Sequence, residues 1–218
     1  MMTNKKETAL ENRDAEGARL FSPSAARNRD PIRDVFQRYL PKTGAVLEVG
    51  AGTGEHAVHL AAGAPELRWL TGDPDGAARA SIAAHIAAAG LEGLEGPHGI
   101  DVCEADWDKP LDGSFDAIVS INMIHIAPFA AAEGLFAGAG RLLQSGGALL
   151  LYGPFSRDGV HTAASNEAFD ASLKSRDPRW GVRDLEHDIA PLAQEHALRR
   201  EAIVEMPANN FTVVFVKQ

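Results

Sequence analysis

Three stretches of the chain are apolar almost without interruption, and each ends in a turn signal. Val46-Leu47-Glu48-Val49 runs into Gly50-Ala51-Gly52-Thr53-Gly54, Phe115-Asp116-Ala117-Ile118-Val119-Ser120-Ile121 into Asn122, and Ala148-Leu149-Leu150-Leu151-Tyr152 into Gly153-Pro154. Such runs mark strands buried on both faces, as in a parallel sheet covered by helices. Residues 67–72 predict a second strand. His98-Gly99-Ile100-Asp101-Val102 predicts a short third one, after a glycine-rich loop over 91–97. Helices are predicted over residues 55–62, from Asp73-Pro74-Asp75 to near Gly90, over 129–143, and from Asp184 to about His196. Ahead of the first strand, Asp30-Pro31 followed by Ile32, Val35, Phe36 and Tyr39 predicts a helix with proline at its first position. Residues 199–206 and 211–216 are the last two strands. The four residues between them are too few for a crossover, so the pair is antiparallel.

The elements alternate β and α and predict an α/β fold: a doubly wound, Rossmann-like seven-stranded sheet with an antiparallel last strand. Residues 1–30 read as an N-terminal extension forming part of a substrate lid, and 31–218 as one domain. An insertion over about 153–183 lacks a strand pattern and reads as a lid, since connections of that length in compact domains are usually functional. Within it, residues 166–175 have some helical character.

Composition narrows the partners. With 21 Lys and Arg against 30 Asp and Glu, the net charge of −9 excludes the basic face that duplex nucleic acid requires. One cysteine, Cys103, cannot form a disulfide framework, and no apolar run approaches the ~20 residues of a membrane span. A cytoplasmic protein acting on a small molecule is expected, with neither nucleic-acid nor membrane partner. The oligomeric state is left open. His56 and His59 lie one turn apart, but no third ligand follows at metal spacing, so they are expected at the surface or the rim of a site, and no metal is expected.

The glycine turn is where a ligand would sit, at the carboxyl end of the first strand. The dinucleotide fingerprint is G-x-G-x-x-G; here the third glycine arrives one position early and Glu55 stands in its place. Glu48 adds a carboxylate. At an effective dielectric near 20, a carboxylate about 5 Å from a phosphate costs about 3 kcal/mol. A ligand without phosphate and with cationic character suits the site, and S-adenosyl-L-methionine has a sulfonium, an ammonium, a ribose and an adenine. Asp73, at the end of the second strand, is placed to accept both ribose hydroxyls, unless it is an ordinary helix cap, a role Asp75 could fill instead. A nicotinamide-dependent oxidoreductase and a cofactor-binding protein without catalysis are the competing readings.

The segment Glu48-Val49-Gly50-Ala51-Gly52-Thr53-Gly54-Glu55-His56 resembles motif one of the class I S-adenosylmethionine-dependent methyltransferases. Arg27 to Ile32, Gly54 to Ala57, Asn122 to Ile126, Leu151 to Phe155, Trp180 to Asp184 and Met206 to Asn210 are similar to the methyltransferase-like protein 26 type, a group with a domain of unknown function. The resemblance implies a cofactor over Gly50, Gly52 and Gly54, its ammonium facing Glu48 or a neighbouring carbonyl, its ribose facing Asp73, and its adenine against Asp101 and Val102, with Asp106 and Trp107 as the competing pair. It places Asn122 and His125 beside the methyl group, with His125 as a candidate base. The acceptor pocket would be formed by Arg27, Asn28, Tyr152, Arg157, Trp180 and Arg183, the arginines hinting at an anionic acceptor.

Overall fold

The computed structural model describes residues 11–111 and 113–218. A hairpin of β1 (Asp14–Glu16) and β2 (Arg19–Phe21) leads into α1 (Pro23–Phe36). Then follow β3 (Gly44–Val49), α2 (Glu55–Ala62), β4 (Leu67–Gly72), α3 (Gly76–Ala89), β5 (Leu94–His98), β6 (Phe115–Ile121), α4 (Phe129–Leu142) and β7 (Leu143–Gly153). The insertion after β7 contains β8 (Phe155–Arg157), β9 (Val160–His161), α5 (Ala164–Arg176) and β10 (Arg183–Asp184). A π turn (Leu185–Ile189), α6 (Ala190–Glu195), β11 (Leu198–Met206), a 3-10 turn (Pro207–Asn209) and β12 (Asn210–Lys217) complete the chain.

Seven strands form the main sheet in the order β11-β12-β7-β6-β3-β4-β5. β3, β4, β5, β6 and β7 are parallel neighbours, and β12 is antiparallel to both β7 and β11. The expected doubly wound sheet with an antiparallel last strand is what forms, with that last strand inserted between β7 and β11. Side-chain alternation sends Leu47 and Val49 to one face, against Leu135, Phe136 and Ala139 of α4 and Ile189 and Ala193. Val46 and Trp69 go to the other, against Ile32, Val35 and Phe36 of α1 and Ala57 and Leu60 of α2.

Two boundaries differ from the sequence pattern. α1 starts at Pro23, seven residues before Asp30, because Ser22 accepts a hydrogen bond from the Ala25 N–H and Pro23 takes the first turn. Pro31 therefore lies inside the helix, and Arg27 and Asn28 are helical residues. The third strand is Leu94–His98, in the stretch expected to be loop, and Asp101 follows it after a turn. Glycine and proline are tolerated there because β5 is the sheet edge, with β4 as its partner. In the insertion after β7, β8 pairs antiparallel with β9 and parallel with β10.

Candidate functional site

β3 delivers the chain into a loop whose three glycines have positive φ: 72° at Gly50, 58° at Gly52 and 90° at Gly54. A Cβ at Gly54 would lie 2.9 Å from the Ile82 Cα, so this glycine lets the loop seat against α3. A Cβ at Gly52 would meet nothing within 4 Å: the tip of the loop presents bare backbone to open space. At Gly50 the added atom would touch Met123, which comes from the segment after β6. The ends of β3 and β6 thus meet at this loop.

Asp73, 7% exposed, closes the loop from the end of β4. Its Oδ2 accepts the Gly52 N–H at 3.0 Å and its Oδ1 the Asp75 N–H at 2.9 Å. The helix-cap role belongs to Asp75, which accepts from Ala77 and Ala78. Burial raises the Asp73 pKa despite the two backbone donors. Glu48 points elsewhere: it shares the α1 face with Val46, is 1% exposed, and accepts the Trp69 indole N–H at 2.9 Å. Burial lifts its pKa to about 7; the indole bond opposes the rise and the Asp73 charge adds to it. Glu55, the first residue of α2, is also buried. Its Oε2 accepts the Ser22 N–H at 2.7 Å and the Thr53 hydroxyl at 2.9 Å, tying the start of α1 to the glycine loop.

Past β6, Asn122 adopts a left-handed φ of 55°, and its N–H donates to the Tyr152 carbonyl at 2.8 Å. His125 is 3% exposed, its ring edge-on to Phe169 of α5 at 5.7 Å between centroids. A Cβ at Gly153 would sit 3.1 Å from the His125 ring and 3.7 Å from the Asn122 amide oxygen, so these three residues crowd one corner. Burial, with the Arg183 charge, drives the His125 pKa down to about 3.

Asn28 and Tyr152, both expected at the acceptor site, are brought together: burial raises the pKa of the Tyr152 hydroxyl, and the neighbouring Asn28 and Asn210 side chains oppose the rise. The Asn28 amide oxygen in turn accepts from the His56 ring at 2.8 Å. His56 is buried between α1 and α2, and burial lowers its pKa to about 4. His56, expected at the surface or the rim of a site, is buried instead, because its ring packs against α1 with Asn28 as its partner. Asn210 was not among the expected site residues; its signal lay in Met206-Pro207-Ala208-Asn209-Asn210.

The remaining expected residues have their own partners. Arg183 donates from Nε to the Ile124 carbonyl at 3.1 Å and from Nη2 to that of Ala127 at 2.7 Å. Arg157 is paired with Glu186 at 2.9 Å, and exposed Arg27 donates to the Ser24 hydroxyl. Trp180 is buried. Asp101 accepts the Cys103 N–H, and Val102 is buried against α4 at Gly134. Of the competing pair, Asp106 is exposed and paired with Lys109, while the Trp107 indole donates to the Gly134 carbonyl. Among the described residues, no group of three or more His, Cys, Asp or Glu is arranged to hold a metal ion.

A family model described as a protein of unknown function (DUF938) matches residues 19–217. Ribosomal RNA small subunit methyltransferase C of Enterobacter sp. (strain 638) is 36% identical over 119 residues, which are 53% of this chain and 33% of that protein. The chain spans about a third of the length of the curated relatives it matches. A putative O-methyltransferase from Nostoc punctiforme PCC 73102 superposes with a TM-score of 0.76 at 15% identity, over 92% of this chain and 58% of that one. Human N-acetylserotonin methyltransferase in complex with SAM superposes with a TM-score of 0.71 at 14% identity, over 89% and 52%. At these identities the likeness is one of fold, and the fold is that of the class I methyltransferases.

Proposed function

The chain belongs to the DUF938 family, and from that premise and the geometry of the glycine loop we propose that it is a cytoplasmic S-adenosylmethionine-dependent methyltransferase with a small-molecule acceptor. The observation that carries the reading is the bare face at Gly52 with the Asp73 carboxylate hydrogen-bonded beneath it. A nucleoside fits there: the backbone leaves room for it, and the carboxylate oxygens have lone pairs left for ribose hydroxyls. Hydrogen bonds to a charged acceptor contribute about 1.5–3 kcal/mol each. Asp101 and Val102 are assigned to adenine. The ammonium is assigned to a loop carbonyl, since Glu48 is committed to Trp69.

Bound at this loop, the cofactor supplies a methyl group already activated on a cationic sulfur. The protein's task is then alignment and exclusion of water. Asn122 presents its amide at the end of β6, and His125 with Phe169 closes the corner. Burial and the Arg183 charge lower the His125 pKa to about 3, so the imidazole is neutral near neutrality, and it is assigned here to the wall of the corner. The arginines do not support an anionic acceptor, because Arg157 and Arg183 are engaged within the protein. The narrower likeness to methyltransferase-like protein 26 belongs to the same proposal, as does the assignment of residues 153–183 and the N-terminal segment to the acceptor side. Among the described residues no helix is long and apolar enough to cross a membrane.

A ribosomal RNA acceptor is the second reading, favoured by the name of the relative at 36% identity. The net charge of −9 weighs against it. Calorimetry with S-adenosylhomocysteine and with NADH tests the proposal: the first should bind and the second should not. Asp73→Ala should weaken S-adenosylhomocysteine more than tenfold, and an affinity equal to the parent's removes Asp73 from the site.

A further inference from the structure

The turn Met206-Pro207-Ala208-Asn209-Asn210 is built in a costly way. Ala208 (φ 58°, ψ 36°) and Asn209 (φ 58°) are consecutive left-handed residues, and neither is glycine. Such backbone persists where its surroundings hold it, and it gathers at sites of recognition. Here the lid does the holding. Asn166, 5% exposed on α5, donates to the Asn209 carbonyl at 2.9 Å and to the Thr162 hydroxyl at 3.2 Å, and the Asn209 amide donates to Ser165. Between this turn and the lid lies a cavity of about 320 Å³, lined by Arg157, Thr162, Met206, Asn209, Asn210 and Phe211, with Glu205 at its edge. Pockets for small ligands begin at about this size.

The cavity is coupled to the corner beside the glycine loop along two routes. Asn210 neighbours the hydroxyl of Tyr152, whose carbonyl accepts the Asn122 N–H at 2.8 Å. Phe211 is the register partner of Gly153, whose missing side chain gives Asn122 and His125 their space. A larger cavity of about 360 Å³, lined by Trp107, Glu133, Arg141 and Glu195 among others, includes no residue of either route.

We infer that this lid-side cavity is the acceptor pocket and that it selects a small polar molecule without net negative charge, with Asn210 as the specificity-determining residue; the inference rests on the methyltransferase reading above. The chemistry of the walls argues for that class. Thr162 and the Asn209–Asn210 pair offer neutral hydrogen-bonding groups, Met206 and Phe211 give one apolar flank, and Glu205 repels anions. The guanidinium of Arg157 is engaged by Glu186, which it shares with Arg200 at 3.2 Å, and the positive charge left over is offset by the Glu205 carboxylate in the same lining.

The test is saturation-transfer NMR on the full chain saturated with S-adenosylhomocysteine. The probes are nucleosides, amino-acid amides and methyl glycosides on one side, and dicarboxylates and sugar phosphates on the other. Transfer to members of the uncharged set is expected, with affinity falling at least fivefold in Asn210→Ala and in Thr162→Val, circular dichroism of both variants matching the parent's; Thr162 is exposed, and Asn166 keeps its bond to the Asn209 carbonyl in the second variant. S-adenosylhomocysteine affinity, read by calorimetry on the same samples, should be unchanged in both variants. Transfer confined to the anions, no transfer to any probe, or transfer that ignores both substitutions overturns the inference. Loss of the methyltransferase reading would appear separately, as failure of the parent protein to bind S-adenosylhomocysteine.

Discussion

Glu48→Gln makes the energetic state of the buried glutamate measurable. The carboxyl is 1% exposed and its pKa rises to about 7 from an ordinary 4.5. Burial is the main cause; the Trp69 bond lowers the value and the Asp73 charge raises it further. A raised carboxyl pKa means that the native state keeps a proton that the unfolded chain releases. Stability therefore falls as pH rises from about 4.5, and the loss levels off above about 7. At 1.36 kcal/mol per unit, the gap amounts to about 3 kcal/mol, of which about 1 kcal/mol is already lost at pH 5. Glutamine keeps an oxygen for the indole N–H and never ionises. The variant should gain on the parent by about 2 kcal/mol between pH 5 and pH 8. Urea unfolding followed by circular dichroism at pH 5, 6.5 and 8 reads this directly. A parent–variant difference that stays flat across that range, or that moves in the parent's favour above pH 7, refutes the assignment.

Four other substitutions separate roles that look alike in the sequence. Gly54→Ala should cost more than about 2 kcal/mol, because the methyl meets the Ile82 backbone at 2.9 Å and φ is positive, whereas Gly52→Ala should cost only about 1–2 kcal/mol, yet weaken S-adenosylhomocysteine at least tenfold by filling the open face; thermal unfolding and calorimetry distinguish the two. Ala208→Gly should stabilise the protein by about 0.5–1 kcal/mol by removing a left-handed alanine, as urea midpoints would register. Ser22→Ala should cost about 1 kcal/mol through loss of the α1 cap, and the Glu11 carboxylate, which accepts from the same hydroxyl, should gain mobility seen in hydrogen exchange.

The sheet was readable because its central strands are buried on both faces, which forces runs such as residues 115–121 that no surface segment would carry. β5 was not, since an edge strand is held by backbone bonds to one neighbour and asks little of its side chains. The start of α1 was ambiguous in kind: Ser22-Pro23 and Asp30-Pro31 are both cap-and-proline pairs, and only the second stands before an evident apolar period. Packing of Ala25 and the Glu55–Ser22 bond decide for the first. The glycine loop and Asp73 were legible because backbone geometry dictates residue type there. The gathering of His56, Asn28 and Asn210 around Tyr152 was not: it joins four elements far apart in sequence.

Charge selection at the loop has to be re-argued from where the carboxylates point. On pattern alone Glu48 and Glu55 count equally against a diphosphate. In the fold Glu48 faces Trp69, and with a pKa of about 7 it carries at most part of a charge at neutrality. Glu55 is different. It is the first residue of α2, whose N-cap, Gly54, has no side chain to offer, and it sits buried where the exposed amides of a helix start would receive a phosphate. The helix dipole is thus already answered from within the chain. A diphosphate at the same helix start would face Glu55 and, across the loop, Asp73, at about 3 kcal/mol for each charge within about 5 Å. Two such pairs erase four decades of affinity or more. A cationic nucleoside meets the same two carboxylates as partners. The discrimination therefore rests on Asp73 and Glu55, and Glu48→Gln should leave the preference for S-adenosylhomocysteine over NADH intact even as it changes the stability of the fold.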